Sequence, residues 1–221
     1  MKFKKYIILI TLILLTGCSF NKIMDASYLS KTDPDFSFMT NTVISVHASE
    51  NKNEIETKHY INNVVNALKK RGFTRVYSYR DFGETYIPVE IYIIINISKK
   101  SKSYEYEGAN YGMVDSGNST VNCTGFVNMI NCTENKQKSF GVTGYSTKTG
   151  ISTGYYFSGN WFKVKNKEKV MFTFASSFEK GCSDRAMFEF LIEQTISRLD
   201  FTKPKDYEYS VEMPEKYSCN Y

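Results

Sequence analysis

Between residues 89 and 98 an apolar side chain falls on every second position: Val89, Ile91, Ile93, Ile95 and Ile97. A period of two is that of an extended strand, and β-branched residues favour it. Tyr92 and Ile94 make the alternate face apolar as well. A strand that is apolar on both faces is expected at the centre of a sheet, with a helix over it.

Two stretches supply that cover. Over residues 53–71, Ile61, Val64, Val65 and Leu68 recur at helical spacing, with Ile55 ahead of them. Lys69, Lys70 and Arg71 fill the last turn, where cations suit the helix dipole, and Gly72 is placed to end the helix. The basic run reads as a solvated helix end. Over residues 184–199, Phe188, Leu191, Ile192, Thr195, Ile196 and Leu199 mark a second buried face, with Ser183 as N-cap.

The remaining periodic segments read as strands: 42–48, 75–79, 120–130, 139–146, 154–164 and 170–176, with 131–138 as a loop. The order predicts an α+β fold, a mainly antiparallel sheet with two amphipathic helices on one face. Residues 36–221 form a single domain on this reading, ending in an extended tail from Asp200 with Pro204 and Pro214.

The first residues are of another kind. Lys2, Lys4 and Lys5 precede the apolar run Tyr6 to Leu15, which is too short to span a membrane and has the form of a secretory signal. It ends in Leu15-Thr16-Gly17-Cys18. This resembles the lipobox of bacterial lipoproteins. The resemblance implies cleavage after Gly17 and a diacylglyceryl group on the Cys18 sulfur. In a Gram-negative bacterium Ser19, where Asp favours inner-membrane retention, implies the outer membrane, facing the periplasm; the alternative is a Gram-positive plasma membrane. Residues 1–17 are then the signal peptide, and the polar residues 18–35 a lipidated tether. The helix ending Lys70-Arg71-Gly72-Phe73 and the late helix also resemble, loosely, uncharacterised periplasmic α+β lipoproteins.

Removing Lys2, Lys4 and Lys5 leaves 25 basic against 23 acidic side chains. So even a balance gives no basis for a nucleic-acid partner. Besides Cys18 there are four cysteines, an even number that suits two disulfides in an exported chain. Of three possible pairings, Cys123–Cys132 and Cys182–Cys219 are favoured. The first closes a short loop, and the second pins the tail to the start of the late helix. With no CxxC and only His47 and His59, a metal site is not expected, and no cofactor is implied.

Catalytic signatures are scarce. There is no G-x-S-x-G elbow, phosphate-binding glycine loop or H-E-x-x-H. Cys182, at a helix N-terminus, is the candidate nucleophile, although a disulfide suits it better. Asp81, Glu84 and Glu90 read as solvated carboxylates around a turn. Tyr104, Tyr106, Tyr155 and Trp161 are the candidate contact residues, since aromatics among small polar neighbours suit a protein or glycan surface. The expected function is a membrane-anchored envelope module, not an enzyme, that binds or helps assemble an envelope protein or glycan. The alternative is a cell-wall-active hydrolase.

The lipobox carries a direct test. Labelled palmitate is expected to enter the wild-type protein and not Cys18→Ser, and label persisting in that variant would refute the assignment.

Overall fold

The computed structural model of the chain describes residues 23–51, 53–81, 87–126, 129–178, 181–214 and 217, with backbone alone at 126, 129 and 130. Cys18 and Cys219 lie outside the described residues. In chain order the elements are β1 (Ile23–Thr32), β2 (Ile44–Ala48), α1 (Glu54–Lys58), α2 (Ile61–Lys70), β3 (Val76–Ser78), a 3-10 turn (Tyr79–Asp81), β4 (Ile91–Phe126), β5 (Met129–Lys163), β6 (Lys169–Phe178), α3 (Asp184–Ser197) and β7 (Lys205–Glu212). The chain divides into two units: residues 1–100 with 153–221, and residues 101–152.

In the first unit the strands run in the order β3-β2-β4-β5-β6-β1-β7. β2 pairs in parallel with both β3 and β4, whereas β6 pairs antiparallel with β5 and β1, and β1 with β7. The protein is mixed α and β and mostly sheet, but the sheet is mixed rather than mainly antiparallel. The cause is the segment after β2. It returns to the same side of the sheet through α1 and α2 before β3, and a helical crossover leaves successive strands parallel.

The isoleucine column organises the core. Ile91, Ile93, Ile95 and Ile97 are all buried, together with Ile44 and Val46 of β2, Tyr155, Phe157 and Trp161 of β5, and Ala175 of β6. Ile61, Val64, Val65 and Leu68 of α2 and Phe188, Leu191, Ile192 and Ile196 of α3 close the same cluster. Each buried Val, Leu, Ile or Phe among them contributes about 1.5–3 kcal/mol by leaving water. Phe188 meets Tyr60 and Tyr155 edge-on, at 5.4 and 5.2 Å between ring centroids.

Local signals hold where they were legible. The Ser183 hydroxyl accepts from the Ala186 amide at 3.2 Å and caps α3. Gly72, at φ +94°, ends α2. The Phe73 amide reaches the Leu68 carbonyl and the Gly72 amide the Lys69 carbonyl, which is the Schellman arrangement. The basic run at the end of α2 does more than meet solvent. Arg71 donates to the Ser197 and Leu199 carbonyls at 2.8 and 2.7 Å, and Lys70 pairs with Glu193 at 2.9 Å. A cation from one helix thereby satisfies the carbonyl end of the other.

Two sequence expectations about local structure need correction. Most of the proposed tether, residues 18–35, is the strand β1, lying between β6 and β7 with Met24 and Tyr28 fully buried. Its inward row continues through the small residues Ala26 and Ser30, which blur the apolar alternation. The extended tail contains β7, which pairs with β1 along its length. In the second unit the expected loop over 131–138 is strand: β4 and β5 run through residues 101–152 as neighbouring strands. Cys123 and Cys132 are joined as expected, and their bond links β4 to β5, Cα to Cα 4.0 Å. A two-stranded ribbon has no core to impose apolar alternation, so its polar residues resemble a loop in sequence.

Replacing Phe188 by Ala is expected to cost about 3–5 kcal/mol in urea unfolding. Ile55→Ala, at an exposed position, should stay within about 0.5 kcal/mol. Equal effects would refute the assigned core.

Candidate functional site

Period-two placement puts Ile44 and Val46 of β2 into the core and Ser45 and His47 on the opposite face. The register sets Tyr92 beside Ser45 and Ile94 beside His47. The 3-10 turn brings in Tyr79. It is held by Asp81, whose carboxylate accepts from the Ser78 amide at 2.7 Å. Ser45, His47, Tyr79, Val89, Tyr92 and Ile94 line an open groove of about 840 Å³ within the first unit, with Ser49 and Glu50 on its wall.

The imidazole of His47 is the polar centre of the groove. Its Nε2 lies 2.9 Å from the Ser45 hydroxyl. Its ring stacks on Tyr79, centroids 5.7 Å apart, and meets Tyr92 edge-on at 6.3 Å. Burial disfavours the imidazolium and holds its pKa below the usual 6.5. Aromatic and aliphatic walls with a few polar groups are the make-up of a binding cleft. The face continues as Tyr92 stacked on Phe162 at 5.0 Å, with Lys169 over the Phe162 and Phe172 rings.

A hydroxyl within hydrogen-bond reach of an imidazole is also the geometry of a nucleophile and its base. Two observations weigh against that use. Ser45 is only 1% exposed. No carboxylate among the described residues hydrogen-bonds to the His47 ring to fix its tautomer. The pair holds the wall of the groove in place.

The residues singled out from sequence are scattered. Tyr155 and Trp161 are each 1% exposed and belong to the core. Tyr155 donates to Asp184 at 2.6 Å, and Trp161 meets Phe38 and Phe201 edge-on. They are corrected from contact residues to core residues, because odd-numbered positions of β5 point inward in this stretch. Tyr104 and Tyr106 lie in the second unit and are 50% and 48% exposed, their rings 5.9 Å apart. Cys182 is disulfide-bonded and buried, so it is no free nucleophile. Glu90 accepts from the Val43 amide at 3.2 Å and, like Asp81, serves the backbone. Glu84 lies outside the described residues. His59 is exposed at the junction of α1 and α2. The sequence reading missed the Ser45–His47 pair, although the i, i+2 spacing within a strand was its signal.

The depressed His47 pKa gives a pH dependence with a definite sign. The unfolded chain takes up the proton near pH 6.5 and the folded chain only at lower pH. Stability contributed by neutral His47 is therefore complete above about pH 6.5 and falls as the pH drops from there towards the folded value. His47→Gln is expected to flatten that part of the stability curve, and NMR titration should place the His47 ring below 6.5. A midpoint above 6.5 would refute the assignment.

No protein-family model matches the chain, and no curated protein matches it. Among solved structures, the chain is similar to the PelC dodecamer from Paraburkholderia phytofirmans, with 9% identity and a TM-score of 0.42 over 78% of this chain and 96% of that one. A PDZ domain protein from Parabacteroides distasonis gives 9% identity and a TM-score of 0.35, over 90% of this chain and 42% of that one. At these levels neither likeness bears on function. Among the described residues, no helix is long and apolar enough to cross a membrane.

Proposed function

We propose that the chain is a lipid-anchored module of the bacterial cell envelope, held at the outer membrane on its periplasmic side, that binds another envelope molecule without transforming it. The observation that carries the reading is the groove around His47, Tyr79 and Tyr92. Its aromatic walls and neutral imidazole suit an uncharged, hydroxyl-bearing or aliphatic surface, such as that of a glycan or of a protein side chain. The Leu15-Thr16-Gly17-Cys18 signal and the Cys123–Cys132 disulfide both suit an exported location. Helices packed on one face of the sheet leave the other face for contact.

The second reading, a cell-wall-active hydrolase, draws on one observation, the Ser45–His47 contact. Burial of Ser45 argues against it.

The two readings separate by experiment. A photo-crosslinking side chain at Tyr92 is expected to capture an envelope glycan or protein in whole cells, and the same group at exposed Ile55 is not. Tyr79→Ala should lower capture about tenfold, roughly the 1.4 kcal/mol of one lost aromatic contact, with the circular dichroism unchanged. Capture at Tyr92 no better than at Ile55 would remove the groove as the contact surface. The enzyme reading would replace this one if purified protein cleaved peptidoglycan and both Ser45→Ala and His47→Ala abolished cleavage in a folded protein.

A further inference from the structure

Among its described residues, the second unit, 101–152, contributes no side chain to the buried hydrophobic core. Among the described residues, the sheet partners of β4 on its β2 side end at Ile95, and those of β5 on its β6 side begin at Gly154. Between these limits each strand has the other on one side and an open edge on the other. Open edges of this length are templates for a further strand. Prolines and bulges usually guard such edges, yet residues 101–152 contain no proline. Exposed apolar side chains add to the liability. Tyr111 stacks on Phe140 at 6.0 Å, and both are exposed along with Met113 and Val142.

The charges indicate what fits there. Over residues 101–126, β4 carries Glu105, Glu107 and Asp115 against one cation, Lys102. Over residues 129–152, β5 carries Lys136, Lys138 and Lys148 against one anion, Glu134. One edge strand is acidic and the other basic, and the unit as a whole is neutral. Among the described residues Glu105, Glu107, Asp115, Lys136 and Lys138 form no ion pair in the chain, whereas Lys148 donates to the Ala109 carbonyl at 2.6 Å.

The levels also match. Gly112 faces Thr143, Gly141 faces Val114, and Gly108 faces Lys148. Two such ribbons laid side by side in the same direction would set Lys148 of one near Glu107 of the next, and Lys138 near Asp115. Opposite charges on directly neighbouring strands stabilise the pairing, and like charges oppose it.

We propose that the occupant of these edges is a second copy of this chain, the acidic β4 edge of one ribbon pairing antiparallel with the basic β5 edge of the next. This contact is heterologous. Each pair keeps one acidic and one basic edge free for further copies, so assembly passes beyond two, to a ring or a fibre. An isologous dimer through β4 alone would bring the acidic edges together and is disfavoured. The proposal does not depend on what the His47 groove binds.

Sedimentation velocity of the full chain in detergent tests it. Wild type is expected to sediment as three or more protomers, and raised salt should weaken the association. Glu107→Lys with Asp115→Lys makes both edges basic, and Lys138→Glu with Lys148→Glu makes both acidic. Each double variant alone should associate at least tenfold more weakly than wild type. An equimolar mixture of the two should recover large assemblies, because each variant then meets an edge of opposite charge. That recovery also shows both variants to be folded. A wild type that stays monomeric or stops at a dimer would overturn the proposal. So would double variants that assemble like wild type, or a mixture that fails to recover although both retain the wild-type circular dichroism and the Cys123–Cys132 bond.

Discussion

Packing of the Ile91, Ile93, Ile95 and Ile97 column beneath α2 and α3 is the contact on which the first unit depends. A column of β-branched residues on one face of a strand is stable only if helices or a second sheet exclude water from it. α2 and α3 meet that need together, and they are tied to each other by Arg71, which reaches the carbonyl end of α3. The crossover through α1 and α2 then makes β2 parallel to β4, which gives the sheet its mixed character.

The same packing fixes the candidate site. Once Ile44 and Val46 face the helices, Ser45 and His47 must face away from them, and the parallel register brings Tyr92 and Ile94 alongside. The groove is thus a by-product of the core's alternation, furnished by whichever residues occupy the other parity. Its walls are largely apolar and His47 is half-buried, which keeps the imidazole neutral.

The second unit follows a different rule. A two-stranded ribbon is marginal in water by itself, and a covalent link between its strands is a means of keeping their register. Cys123 and Cys132 supply that link. The ribbon's side chains are mostly exposed, so neither their polarity nor their order is constrained by packing. That freedom allows charges to be sorted between the two strands, as they are here.

Sequence by itself determined the central strand, both long helices, the Ser183 cap and the Gly72 stop, and it favoured the Cys123–Cys132 pair among three pairings. Each rests on local periodicity, on a turn or cap residue, or on cysteine count. Tertiary structure alone decided the rest. β1 read as a tether because its inward row includes Ala26 and Ser30, and only pairing with β6 and β7 makes a strand of it. Tyr155 and Trp161 read as surface aromatics because composition does not reveal which parity of β5 faces the helices. Parallel or antiparallel pairing, the Ser45–His47 contact with its two tyrosines, and the strand character of residues 131–138 all depend on which segments meet across long separations in the chain. Hydropathy records whether a side chain can be buried; the partner strand decides which side it is buried on.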